Sequence, residues 1–326
     1  MAQTQTTAAA ATKIVHKIHK KPLGTRLKRD MQKNWVVYVI VLPVVLYFLI
    51  FNYIPMFGIV MAFQDFKAAK GFFGSKFVGF DNFAKLFSGE EFGLVLRNTS
   101  MMALLNLTIG FIFPIVFALL LSSVRPKWFK RMVQISSYMP YFIATVVVVQ
   151  LFTEFLGRGG IITTFLGLFG VEDQNLLANP DIPTFWLINC GIEIWQGCGY
   201  GAIVYCAAIS NVNPNLHEAA AIDGASRWKR LWNVTIPSIM PLVMTMLTLR
   251  VGLVFTQGFD KVILFIMPKT QNVADCLATY INRYAFEGVA DYSLAAAAGL
   301  FQSVIATILL IVSNSLQKRV MKSSLF

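Results

Sequence analysis

Residues 213–241 read NPNLHEAAAIDGASRWKRLWNVTIPSIMP, and they lie between two long apolar runs. The stretch is too polar to cross a bilayer and too well punctuated to be a slack loop. Asn213 is a good N-cap, and Pro214 suits the first helical position, where a missing N–H is harmless. Asn215 to Asp223 then has helical propensity, with Ala219, Ala220 and Ala221 at its centre. Gly224 is the expected helix stop. Ser226 can cap a second short helix that turns Trp228, Leu231 and Trp232 to one side and Arg227, Lys229 and Arg230 to water. Pro237 and Pro241 open the next apolar run. The stretch predicts a bent helix pair projecting from a membrane surface, with Glu218 on its first arm.

Composition agrees with a membrane setting. Of 326 residues, 56% are apolar and 13% charged, and the mean hydropathy is +0.62. That is not the make-up of a soluble core. The net charge of +12 raises nucleic acid as a partner, but the cations sit beside apolar runs, which argues for membrane topology instead. Lys13, Lys17, Lys20, Lys21, Arg26, Lys28, Arg29 and Lys33 form a basic arm over residues 1–34, after a low-complexity Ala/Thr/Gln tract that reads as disordered. Leu23, Leu27 and Met31 suit the inner leaflet. The first apolar run starts at Trp35 and is too long for a signal-peptide h-region.

Six segments are long enough to span, at about 20 residues each: Trp35–Phe63, Asn98–Val124, Met132–Leu156, Phe185–Ser210, Pro237–Phe259 and Leu294–Leu316. With the N-terminus inside, the cytoplasmic segments hold the arm, then Arg125, Lys127, Lys130 and Arg131, then Arg227, Lys229 and Arg230, then Lys318, Arg319 and Lys322. The outer loops hold most of the acids. This positive-inside pattern puts both termini and the 213–237 loop in the cytoplasm. The outer loops, 64–97, 157–183 and 260–293, predict short helices. The first is rich in Gly and Phe, suiting either contact with a delivery protein or sugar, or simple interfacial anchoring.

Enzyme chemistry is missing. No G-x-x-x-x-G-K-[ST] run is present to cradle phosphates. The three histidines form no cluster, the four cysteines show no metal spacing, and no nucleophile–base set is evident. Any energy-consuming step would therefore draw on a partner or an ion gradient.

Glu218-Ala219-Ala220, Asp223-Gly224-Ala225 and Val234-Thr235-Ile236-Pro237 together resemble the EAA loop of permease subunits in bacterial ABC importers, with Ile236 where Leu is commoner. Met139-Pro140-Tyr141-Phe142-Ile143 and Glu193-Ile194-Trp195-Gln196-Gly197-Cys198-Gly199-Tyr200 are similar to core-helix motifs of the maltose-type sugar permeases, and the similarity covers Trp35 to Phe326. Leu249-Arg250-Val251, Gly258-Phe259-Asp260 and Ala274-Asp275 resemble a subgroup handling oligosaccharides, including uronic-acid polymers such as alginate fragments. The resemblance implies an all-α, six-helix, type I importer permease in the bacterial inner membrane. It also implies a second permease subunit, an ATPase dimer that binds the ATP and Mg, an extracytoplasmic solute-binding protein, and an oligosaccharide substrate. Neither a cofactor nor a metal is implied for this chain, and lipid is expected around it. Glu218, Ala219, Ala220, Asp223, Gly224 and Pro237 would couple it to the ATPase.

The residues of the fourth span are consistent with a sugar pathway. Glu193, Gln196, Gly197 and Tyr200 share a helix face at i, i+3, i+4 and i+7. Gly197 and Gly201 form a G-x-x-x-G pair for close helix approach. Polar residues at that depth must face a cavity or partner helices. The maltose-type relatives often carry Asn where this chain has Glu193. Arg250, midway along the fifth span with Gln257 seven residues on, needs a partner: Glu193, or the carboxylate of an acidic sugar. Two other readings stay open. One is an ion-coupled transporter using Glu154, Glu193 and Arg250 as a relay. The other is a membrane enzyme acting on lipid-linked sugar.

Overall fold

A computed structural model describes residues 31–170, 174–181, 183–256, 258–288 and 290–321. Most of the basic arm, and Gln257, therefore lie outside the described residues. The chain divides into two compact units, 1–58 and 59–326.

In the first unit, α1 (Trp35–Phe48) is apolar on every side, carries Pro43 inside, and continues through a π-helical turn at Leu49–Tyr53. A 3-10 segment, Ile54–Phe63, follows in sequence. The whole run of 29 residues is long and apolar enough to cross a membrane.

The second unit opens on a two-residue hairpin, β1 (Gln64–Asp65) against β2 (Lys76–Phe77), the only sheet among the described residues. Buried Asn82 on α2 (Asp81–Ser88) donates to the carbonyls of Ala62 and Gln64 at 3.0 and 2.9 Å and fixes the hairpin. α3 (Glu90–Leu105), a π-helical turn Asn106–Gly110 and α4 (Phe111–Ser123) form one 34-residue spanning helix. It starts at Glu90 rather than Asn98, because Glu90 and Glu91 suit the positive end of the helix dipole.

The third expected span, Met132–Leu156, is broken. α5 (Lys127–Tyr138) gives way to a 3-10 turn at Met139–Phe142, and Ile143 and Ala144 are extended before α6 (Thr145–Leu156). Pro140 cannot donate into a helix. The apolar stretch Thr145–Gly167 holds α6 and α7 (Ile161–Gly167), parted at residues 157–160, where Gly159 has φ +72°. The fourth expected span is α8 (Thr184–Ser210), whose 27 residues are enough to cross. The described residues contain five helices long and apolar enough to span, and α8, with its polar residues, is not among them.

α9 (Pro214–Ile222) and the turn at Gly224 lead to α10 (Arg227–Arg230), the π-helical turn Leu231–Thr235 and α11 (Ile236–Leu253). Arg227–Leu253 is one 27-residue helix, so the second arm of the expected helix pair is the root of the fifth span. Three short helices follow: α12 (Phe259–Phe265), α13 (Gln271–Ala274) and α14 (Leu277–Phe286). α15 (Tyr292–Met321) closes the fold.

In lipid, apolar burial gains little, and helices associate through close approach and hydrogen bonds. Both devices are present. A Cβ on Gly199 would lie 2.0 Å from the Ser137 carbonyl oxygen of α5. Gly197 has open space around it and Gly201 makes only ordinary contact with Pro114. The tight approach therefore uses Gly199 and not the expected G-x-x-x-G pair. Between α11 and α15, Thr248 donates to Gln317 at 2.8 Å, and Gln317 donates to Thr245 at 3.2 Å. Further along the bundle, Phe185 and Trp186 of α8 pack with Val148 of α6 and Phe265 of α12.

Candidate functional site: a projecting loop and a charged cluster inside the bundle

The projecting loop has the local geometry its residues predict. The Asn213 side chain accepts from the Asn215 N–H at 3.0 Å, and Ser226 accepts from the Lys229 N–H at 3.3 Å. Gly224 has φ +74°, a conformation that costs other L-residues about 1–2 kcal/mol. The N–H groups of Gly224 and Ala225 return to the carbonyls of Ala221 and Ala220. Glu218, Ala219, Asp223 and Gly224 are exposed, and Ala220 is half-buried. Leu216, Trp228 and Trp232 are exposed apolar groups on the same loop, and Ile222 is 87% exposed. No buried residue lies on α9. Pro237 is the second residue of α11 and directly follows the π-helical turn Leu231–Thr235.

The expected face of α8 divides by function. Gln196 is buried, and its amide donates to the Ile143 carbonyl at 3.1 Å. That carbonyl is left open by the break after Pro140, so the Gln196 amide N–H holds the break. Tyr200 stacks on Tyr141 with ring centroids 3.9 Å apart and an interplanar angle of 3°, and both rings remain partly open. Gly197 leaves open space one turn above Tyr200.

Glu193 does not pair with Arg250. Its carboxylate meets the Lys261 ammonium of α12 at 2.8 Å, with the lysine side chain only 10% exposed. Arg250 donates through Nε and Nη2 to the Asn106 side-chain oxygen, in the π-helical turn of the second span. It lies in the last turn of α11, not midway along a span. The helix ends at Leu253, and Gln257 lies outside the described residues. Glu154, the other relay candidate, accepts from Gln150 of its own helix at 3.2 Å. The three candidates thus have three separate partners.

Asn106 and Lys261 were not singled out from sequence. Asn106 is a lone amide in an apolar run, a signal that a membrane reading should flag. Lys261 was assigned to an outer loop, where no partner was sought. No group of three or more His, Cys, Asp or Glu residues that could hold a metal is present among the described residues.

A second polar network ties α13 and α14 to α3. Arg283 meets buried Asp275 at 2.6 Å and Glu91 at 3.3 Å. The Asn98 amide donates to the carbonyls of Asn272 and Asp275. Burial pushes the Asp275 carboxyl above the usual carboxylate range, against the Thr279 hydroxyl and Arg283, which pull it down.

Comparison with known proteins places this architecture. The chain is 36% identical over 318 residues to the polygalacturonan/rhamnogalacturonan transport system permease protein YteP of Bacillus subtilis, covering 97% of this chain and 98% of the relative. A crystal structure of a bacterial ABC transporter involved in the import of the acidic polysaccharide alginate matches with a TM-score of 0.84 and 35% identity, over 91% of this chain and 99% of that one. The bacterial alginate ABC transporter in complex with an alginate pentasaccharide-bound periplasmic protein matches equally, at TM-score 0.84 and 35% identity, over 92% and 100%. Residues 110–322 match the family described as the inner membrane component of binding-protein-dependent transport systems. The chain belongs to that family and is a multi-pass, all-α permease subunit of the ABC sugar-importer type.

Proposed function

We propose that the chain forms half of the translocation pathway of an ATP-driven importer for an acidic oligosaccharide. The observation that carries this reading is the near end-to-end likeness, at 35% identity, to a permease of an importer of the acidic polysaccharide alginate. A polygalacturonan/rhamnogalacturonan permease at 36% identity supports the same substrate class. The partners are a second permease subunit, an ATPase dimer that holds ATP and Mg, and a solute-binding protein on the outer face. No phosphate-cradling motif exists in this chain, so the nucleotide belongs to the partner.

Residues 35–326 form the permease domain, and 1–34 a basic cytoplasmic arm. Both termini and the 213–237 loop face the cytoplasm, in keeping with the cations at each of these places. There α9 docks on the ATPase through Glu218 and the exposed apolar groups beside it. Ala219 and Ala220 keep the helix slim, while Asp223 and Gly224 set the turn. Pro237 begins the span that carries the motion into the bundle. The pathway is lined by Glu193, Gly197, Tyr200 and Arg250, with the stacked Tyr141–Tyr200 pair as a platform for a sugar ring.

Proteoliposomes holding the assembled complex and its binding protein test the reading. Uptake of a labelled uronate oligosaccharide should require ATP on the ATPase side and survive an ionophore. Uptake that ignores ATP and collapses with the ionophore would overturn it.

A further inference from the structure

A cavity of about 130 Å³ lies between α3, α13 and α14. Glu91, Asp275 and Arg283 line it together with Gln271, Asn272 and the apolar side of Leu94. Its place in the fold follows from α8. The Trp186 indole, in the first turn of α8, donates to the Val273 carbonyl of α13 at 2.7 Å. The last turn of α8 leads into the 213–237 loop. The helix from Trp186 to Ser210 is about 36 Å long, so the cavity opens at the face of the bundle opposite that loop.

The groups around the cavity are unequally satisfied. Arg283 is anchored. Its guanidinium meets buried Asp275 at 2.6 Å and lies 5.6 and 5.5 Å from the ring centres of Tyr280 and Tyr284. Glu91 is held more loosely. Its Oε2 takes Arg283 at 3.3 Å and the Tyr284 hydroxyl at 3.4 Å, and its side chain is 57% exposed. Among the described residues, Glu91 Oε1 accepts nothing. Asn272 gives only its carbonyl to the fold, to Arg97 and Asn98, and Gln271 gives only its carbonyl, to the Asp275 N–H. The side-chain amides of both are therefore free. Arg97 shares the Asn272 carbonyl but does not line the cavity. Asp275 and Arg283 neutralise each other, which leaves the cavity with one negative charge, that of Glu91.

We propose that this cavity is a socket for one basic side chain, lysine or arginine, of the solute-binding protein on the outer face, with Glu91 as its charge partner. Size selects a side chain over a small ligand. Small-molecule sites run to about 300–1,000 Å³, and this cavity holds less than half of the lower figure. Charge selects a cation, which meets the Glu91 carboxylate and the amide oxygens of Gln271 and Asn272 in charge-assisted bonds. The socket is also tied to a spanning helix. The Asn98 amide of α3 donates to the Asn272 and Asp275 carbonyls at 3.0 and 2.9 Å, and the Leu277 N–H donates to the Thr99 hydroxyl at 2.8 Å. Docking there bears directly on α3. This rests on the reading of the chain as an importer permease served by an outer binding protein, and it assigns one contact of that partner to Glu91.

The test uses the assembled complex in lipid nanodiscs, titrated with its solute-binding protein at low and at high salt. Wild type is measured first. If it binds no such protein, the permease reading fails and the socket fails with it. Given binding, Glu91→Gln should weaken it by roughly tenfold, the equivalent of one charge-assisted bond, and should flatten its salt dependence. Leu94→Trp keeps every charge but fills the cavity, and it should weaken binding to a similar extent. Glu90→Gln removes a neighbouring exposed acid that does not line the cavity, and it should change binding by less than about twofold. Should Glu91→Gln fail to assemble, Leu94→Trp decides the matter alone. Wild-type affinity in assembled Glu91→Gln or Leu94→Trp would overturn the socket and leave the permease reading standing. So would an equal loss in Glu90→Gln, because the effect would then belong to surface charge at large.

Discussion

The loop at 213–226 and the cluster at Asn106, Glu193, Arg250 and Lys261 are built in opposite ways. The hydrogen bonds that set the loop are local: Asn213 caps Asn215, Ser226 caps Lys229, and Ala225 returns to Ala220. The cluster joins residues 144 apart in sequence for Arg250 and Asn106, and its ion pair links two different helices. One region is an exposed, autonomous element that presents side chains to a partner. The other exists only when three spans and α12 are assembled. A change in the loop should therefore alter function and spare assembly, whereas a change in the packing around the cluster should lose the protein itself.

The largest effect is expected at Gly199. A methyl group there would sit 2.0 Å from the Ser137 carbonyl oxygen and 2.4 Å from its carbon, both backbone atoms that cannot swing away. The Gly199→Ala variant must separate α5 from α8, at a cost of about 1–3 kcal/mol or more. Detergent-extracted complex should fall several-fold in yield and lose thermal stability. Gly197→Ala, two residues earlier with nothing within 4 Å, should assemble with wild-type thermal stability. If both variants assemble alike, the close approach of these helices is wrong, and with it the contrast between packed bundle and free loop.

Glu218→Lys breaks the comparison from the other side. Glu218 is exposed, so nothing in the fold depends on its charge. The complex should assemble normally, while sugar moved per ATP hydrolysed falls by roughly tenfold, or about 1.4 kcal/mol of docking free energy. Measuring transport and ATPase activity on one preparation decides it. Normal coupling in assembled complex would remove Glu218 from the docking surface.

The same contrast explains what could be read in the sequence. Caps, a proline at a helix start, and a glycine with positive φ act over a few residues, so Asn213, Pro214, Gly224 and Ser226 were legible one by one. Spans were legible from hydropathy, but their ends were not. Pro140 was visible, yet an apolar run conceals that the chain turns extended at Ile143 and Ala144. Side-chain partners were the least legible. Arg250 was singled out as a charge needing a partner, with Glu193 as one of two candidates, but Glu193 meets Lys261 and Arg250 meets Asn106. An α12 that brings Lys261 back beside Glu193 has no local signature, and a lone Asn106 gives no hint of which helix it faces. The glycine pair suffered the same loss: spacing marked Gly197 and Gly201, while the path of α5 selects Gly199.

The smallest expected effect measures how independent the loop is. Asn213 offers one side-chain bond, to the Asn215 N–H at 3.0 Å, and α9 has no buried residue to help hold its first turn. Losing such a cap costs about 1 kcal/mol. In a buried helix that cost would be hidden by packing, because the first turn could not open without the rest. On a free element it should appear in full, as roughly fivefold faster amide exchange. In Asn213→Ala the faster exchange should be confined to the nine residues of α9. Exchange in α8 and α11 should not change. Faster exchange spreading into α8 would mean that the loop and the bundle open together, and that the loop is a continuation of the spans rather than a lever attached to them.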